Sequence, residues 1–294
     1  MIQEIRIKNY LSFRDEAVLS FEATKDTTFE ECQVVNVTPK VRLLRFALIY
    51  GANGSGKSNL LNAMDFLCGF WFDKKSDIDE ETGVLPFLLD TETPNEPSEF
   101  NIKFFVDDKR YWYTLVLNDK QVIKENLYVY NSVQPSLVFS RELDGTASLI
   151  KLNASLVKAN ATIVEQLNVK CLSNMSFFAA RNQVNCSLAY IDEVRDWMKN
   201  NMMPIIEPGT RMFEYAGKQM EKNAELKAYI LDFVHKADYN ITDVYTEREK
   251  VPIPDFVKTS IMEDKDIPEK KKKKMLADNA IERLRTDFQH TVKN

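Results

Sequence analysis

Ile49 to Asn59 reads IYGANGSGKSN, and Gly51 to Ser58 within it fits GxxxxGK[ST] with no mismatch. Glycines let a backbone curl until successive N–H groups point into one concavity, a nest for an anion. A helix starting directly afterwards adds its own unpaired N–H groups and the positive end of its dipole. The motif carries this meaning only between a strand and a helix. Val41 to Tyr50, VRLLRFALIY, is apolar over its second half, which predicts a strand covered on both faces. Asn59 to Cys68 is apolar on almost every side, which predicts a core helix. The stretch therefore reads as a phosphate-binding loop. Gly51, Asn53, Gly54, Ser55, Gly56 and Asn59 would form the cradle, and Lys57 would reach the β- and γ-phosphates. The Ser58 hydroxyl would be a ligand to Mg²⁺.

Outward from the loop, the bulk numbers fit a water-exposed globular chain. The 294 residues, 44% hydrophobic and 28% charged, suffice for one large domain or two small ones. No apolar run approaches the ~20 residues of a membrane span, and MIQEIRIKNY has no secretory h-region. Cys32, Cys68, Cys171 and Cys186 show no CxxC spacing, and His235 and His290 are isolated. These features predict a reduced, cytoplasmic chain without structural zinc and without a membrane partner. A net charge of -5 argues against a surface built throughout for nucleic acid. Lys270 to Lys274 could still contact phosphates locally, but the acidic residues just upstream favour a solvated helix start.

The apolar period changes along the chain. Ile5 to Lys8 and Val18 to Phe21 read as paired strands, and residues 73–98 as an acidic surface excursion. Residues 100–152 alternate with period two, interrupted by polar turns and by Asp144-Gly145, and read as an antiparallel meander. Beyond it, Ala189 to Met202, a stripe from Leu226 to Ala237, and Pro268 to Phe288 read as helices, with a short strand at Asn240 to Tyr245. The expected division is an ATP-binding lobe over 1–152 and a mainly helical segment over 153–294. The expected fold class is α/β, a P-loop core with an antiparallel β extension and a following helical segment.

The loop GANGSGKSNLLNA resembles the ABC-type ATPases of the SMC, RecF and OLD group. The opening IQEIRIKNYLSFRDEAVLSF is similar to that group's first hairpin, with Asn9-Tyr10 before Ser12-Phe13. The meander end VIKENLYVYN and the later ADYNITDV resemble the AAA-family ATP-binding proteins of the RloA and AbiL type. This resemblance implies ATP with Mg²⁺, a homodimer closing around ATP, and control of an effector such as a nuclease in defence against phage. It also implies that Ser12, Phe13 and Arg14 lie near the adenine or ribose, and that Gln183 links the γ-phosphate to the helical part. Local hydrogen bonding is the plainer role for Gln183.

Two parts of such an ATPase are not evident. The apolar run ending in Asp-Glu, LAYIDE at 188–193, has Ile191, Val194 and Met198 at helical spacing. A helix could not present Asp192 and Glu193 at a sheet edge. The signature-like ELDGTAS at 142–148 falls on the Asp-Gly hairpin. The simplest expectation is that the chain is the N-terminal part of a longer protein, the alternatives being a naturally short product or a second half on a separate chain, and that it binds nucleotide without hydrolysing it alone. A nucleotide-gated interaction module and a P-loop small-molecule kinase are the alternatives. The kinase would need a lid rich in arginine, and arginines do not cluster after the loop.

Overall fold

Strands alternate their side chains between two faces, and the sequence alternation of this chain builds one large sheet. The computed structural model describes residues 1–145, 147–203, 205–207, 209–210, 212–237, 241–263, 272–273, 276–277 and 280–290. In chain order the first elements are β1 (Ile2–Lys8), β2 (Ala17–Ser20), a one-turn α1 (Glu30–Gln33), β3 (Val34–Thr38), β4 (Val41–Leu44) and α2 (Lys57–Phe70). The meander follows as β5 (Ser98–Val106), β6 (Lys109–Leu117), β7 (Val122–Tyr130), β8 (Ser136–Asp144) and β9 (Ala147–Leu152). Next come α3 (Ala161–Lys170), α4 (Phe177–Arg181), α5 (Ile191–Asn201), α6 (Phe213–Lys222) and α7 (Ala224–Lys236). The chain continues through β10 (Ile241–Pro252), α8 (Asp255–Glu263) and β11 (Ala280–His290).

The main sheet has seven strands in the order β2-β1-β5-β6-β7-β8-β9, each antiparallel to its neighbours. Strand β1 joins the meander because Ile5 and Ile7 lie opposite Ile102 and Phe100 of β5. The expected hairpin at 144–145 forms, with Asp144 opposite Ala147 and Gly145 at φ 62°. Helix α2 lays Ala63, Leu67 and Phe70 into the core. The ring of Trp197 in α5 stacks on Phe104 at 4.4 Å, and Phe177 in α4 on Phe139 at 4.0 Å. Tyr111 and Tyr113 are core residues, and Trp112 stacks across strands on Tyr128 at 4.9 Å.

A buried ion pair ties the end of the meander to the helices after it. Arg141 and Glu125 meet at 3.0 Å with side chains only 1% and 0% exposed. Such a pair is tolerated when its remaining valences are filled. Glu125 accepts from the Tyr113 hydroxyl at 2.9 Å, the Ser176 hydroxyl at 2.8 Å and the Phe177 N–H at 2.8 Å. Arg141 donates to the Ser148 hydroxyl and to the carbonyls of Leu172, Ser173 and Met175. Burial, with the Glu125 charge behind it, pushes the Tyr113 hydroxyl well above its ordinary pKa.

The chain forms two compact units, Met1–Ile205 and Ile206–Asn294. The segment after Leu152, grouped on sequence with the helices that follow, packs on the sheet as far as α5. Within the second unit, β10 and β11 form an antiparallel ribbon from Ile241↔His290 to Pro252↔Ala280, with α6 against β11 and α7 against β10. Here the sequence expectations need correction. Residues 280–288, expected as helix, are strand, and the strand expected to end at Tyr245 runs on to Pro252. The cross-strand pairing with β10 outweighs the helical spacing that 280–288 shows alone. The rest of the expected helix at 268–279 lies mostly outside the described residues.

Two further corrections concern the flanks of the glycine loop. Only Val41–Leu44 of the expected buried strand is strand, paired with β3. Residues 45–50 are exposed, and among the described residues none hydrogen-bonds to a backbone group of residues 46–50. The reason is the absence of a neighbour: among the described residues, no strand lies alongside. Helix α2 is likewise not covered all round, since Leu61 is 44% exposed.

Candidate functional site

The glycine loop takes the shape its residues allow. Gly54 and Gly56 sit at φ 79° and 87°, backbone that side chains other than glycine rarely adopt. Gly56 is the N-cap of α2, whose first internal bond is Leu60 N–H to the Gly56 carbonyl at 3.1 Å. The N–H groups of Gly56, Lys57, Ser58 and Asn59 precede that bond, as the ends of helices require. No acidic residue occupies the first turn, so nothing there opposes an anion. Lys57 Nζ donates to the carbonyls of Gly51 at 3.0 Å and Ala52 at 2.7 Å. Ser55 and Ser58 are exposed. The Asn59 side chain accepts from Asn62 at 3.2 Å.

The turn between β1 and β2 meets this loop. A Cβ placed on Gly56 would lie 2.6 Å from Ser12 Oγ and 3.5 Å from the Phe13 ring. Tyr10 and Phe13 bond each other's backbones at 2.9 and 2.8 Å around Leu11, which sits at φ 49°. The Tyr10 hydroxyl donates to the Asn62 carbonyl on α2 at 3.2 Å, and its ring packs edge-on to Phe100 at 5.2 Å. Fully buried Asn9 sits left-handed at φ 51°. Its amide donates to the carbonyls of Thr93 and Glu96 at 2.8 Å each, and its oxygen accepts from Phe87 N–H at 2.9 Å. Asn9 and Tyr10 thus hold the turn that presents Ser12 and Phe13. The sequence offered one signal for them, an asparagine before an aromatic at a strand end.

The other sequence candidates are engaged elsewhere. Gln183 donates to Ala179 of its own turn at 3.5 Å, and no hydrogen bond joins it to residues 51–58. Asp192 accepts from buried Arg181 and from Leu188 N–H, both at 2.8 Å, in helix α5. Glu193 pairs with Lys109 at 2.8 Å. LAYIDE is therefore a loop running into a helix, and its carboxylates have structural partners. ELDGTAS lies on the β8–β9 hairpin, with Thr146 outside the described residues. Arg14 is exposed and pairs with Asp15 at 3.1 Å. Lys272 donates to the Met262 carbonyl at 2.9 Å, and Lys270, Lys271 and Lys274 lie outside the described residues.

Residues 46–151 match one family. Its description is "AAA domain, putative AbiEii toxin, Type IV TA system". The match runs from the exposed approach through the glycine loop and α2 to the last strand of the meander. It supports an AAA or ABC-like ATPase family, and the mixed α/β architecture with its large antiparallel sheet is consistent with a P-loop NTPase fold. An AAA-type domain binds nucleotide, in general with Mg²⁺. No curated protein matches the chain. Among the described residues, no helix is long and apolar enough to cross a membrane.

Proposed function

We propose that residues 51–58 bind ATP with Mg²⁺, as the Walker A part of an ABC-type ATPase. One observation carries the reading. The N–H groups of residues 56–59 are unpaired at the mouth of α2, and the Lys57 ammonium rests on two loop carbonyls. Phosphate oxygens are stronger acceptors for that ammonium than neutral carbonyls. The exposed Ser58 hydroxyl offers one oxygen to Mg²⁺, and phosphate oxygens would supply others. Ser12 and Phe13, against Gly56, would flank the adenosine end. The preference for ATP over GTP rests on the family likeness, because the loop grips phosphates and not the base. On the same likeness, the nucleotide would close a homodimer that controls an effector, with defence against phage as the setting.

Turnover needs a group that orients the attacking water and charge stabilisation beyond the γ-phosphate. Asp192 and Glu193 are held by Arg181 and Lys109, which favours nucleotide binding without hydrolysis by residues 1–294. Phosphate release from the purified chain with ATP and Mg²⁺ tests this. The expected result is bound ATP with release at background. Robust release that disappears in Lys57→Ala would place a catalytic carboxylate within this chain. Ser58→Ala should weaken Mg²⁺-dependent binding more than metal-free binding; an equal fall would make Ser58 a packing residue.

A further inference from the structure

Residues 77–96 leave the sheet between α2 and β5 as irregular chain, yet buried amides hold them at both ends. Asn174, fully buried, donates to the carbonyls of Asp77 and Glu80 at 2.8 Å each. Asn9 binds the Phe87 N–H and the Thr93 and Glu96 carbonyls at the far end. Between them, Thr82 donates to the carbonyls of Asn118 and Asp119, and Leu11 N–H to the Leu85 carbonyl at 2.9 Å. A segment stapled in this way has already lost most of the freedom that docking would remove.

Its outer surface is apolar where a free loop would be polar. Leu85, Leu88 and Leu89 are 55%, 68% and 85% exposed. Scattered exposed leucines are ordinary, but three within five residues on a fixed loop mark a contact surface. The frame around them has one sign. Residues 77–96 carry seven carboxylates and neither lysine nor arginine. Beside Asp90, Arg14 is itself paired with Asp15, and Lys75, just before the segment, is paired with Asp73. Asp90 itself is held below the usual carboxylate range by bonds from Thr93, so it stays charged at neutral pH.

We propose that this stapled loop docks a basic amphipathic segment of a partner protein, with Leu88 and Leu89 against its apolar face and the surrounding carboxylates paired with its lysines or arginines. The charge decides between occupants. Nucleic acid and anionic lipid would be repelled by the frame. A second copy meeting the same loop would set carboxylates against carboxylates. A basic helix with an apolar stripe satisfies both features, in the manner of amphipathic helices that lay an apolar face on their targets. The proposal goes beyond nucleotide binding and stands whether or not residues 51–58 bind ATP.

The test uses the full chain and a fluorescein-labelled amphipathic peptide of leucine and lysine at helical spacing, followed by fluorescence anisotropy. A scrambled peptide of the same composition is the charge control. The ordered peptide should bind at least about tenfold more tightly than the scrambled one. Leu88→Asp with Leu89→Asp should remove that advantage, and so should Glu81→Lys with Glu92→Lys, which leaves every leucine in place. Val133→Asp, at a 92% exposed position in the β7–β8 turn, should change nothing. Equal affinity of wild type and both loop variants for the ordered peptide would overturn the proposal. Sedimentation adds a second arm. The same species for wild type and the Leu88 and Leu89 variant supports a separate partner. A wild-type dimer that becomes monomer in that variant overturns it in favour of a second copy.

Discussion

Strand β6 and the approach to the glycine loop are similarly apolar and end in opposite surroundings. Tyr111, Tyr113, Leu115 and Leu117 of β6 are at most 1% exposed, while Leu48 and Tyr50 are 80% and 91% exposed. The difference lies in the neighbours. Strand β6 pairs along its length with β5 and β7, and α-helical rings cover one face of the sheet. Among the described residues, nothing pairs with residues 46–50 on either edge. A strand buries its side chains only when adjacent strands satisfy its backbone. The inner strands of the antiparallel sheet thus find both neighbours within the chain, and the segment that leads into the glycine loop has open edges.

The paired half is broken most severely at its buried charges. Arg141→Ala leaves Glu125 charged and unpaired in the core, which costs ~3–5 kcal/mol of unfolding free energy. Urea denaturation reads this directly. A loss below ~1 kcal/mol, the range of exposed pairs, would mean that water reaches the pair.

At the junction of the two halves, Gly56→Ala combines left-handed backbone with contact against Ser12. The expected cost is ~1–3 kcal/mol. In a Ser12→Ala background the penalty should shrink, because the atom nearest the new Cβ is gone. Thermal unfolding of the two pairs of variants measures it, and an unchanged penalty would separate the β1–β2 turn from the loop.

The open half should be nearly indifferent to polar substitution. Leu48→Ser is expected to change stability by no more than ~0.5 kcal/mol. Leu115→Ser, in the middle of β6, should cost several times more. Equal losses would show that residues 45–50 are covered in solution and would remove the contrast.

The features legible in sequence are those whose cause is local. The meander was readable because each strand shows period two and each turn its polar residues, with Asp144-Gly145 as the clearest. The bend of the glycine loop was readable because glycines at 54 and 56 serve a backbone requirement, and both have positive φ. Strand β11 was not readable. Ile281, Leu284 and Phe288 fit helical spacing, and their strand state depends on β10, a long way back in the chain. Glu125 sits in Lys124-Glu125-Asn126, a polar stretch of a strand with no local sign of burial. Only the arrival of Arg141 and Ser176 makes it a core residue. The exposure of residues 46–50 is also non-local, since apolar composition records what a strand needs and not whether a neighbour is present.

The central claim, that residues 51–58 grip a nucleotide triphosphate, is tested most directly by calorimetric titration of ATP with Mg²⁺ into wild type and Lys57→Ala. Loss of one charge-assisted contact worth ~1.5–3 kcal/mol predicts an affinity about 10- to 150-fold weaker in the variant, with unfolding unchanged. The same affinity in both proteins would contradict the account.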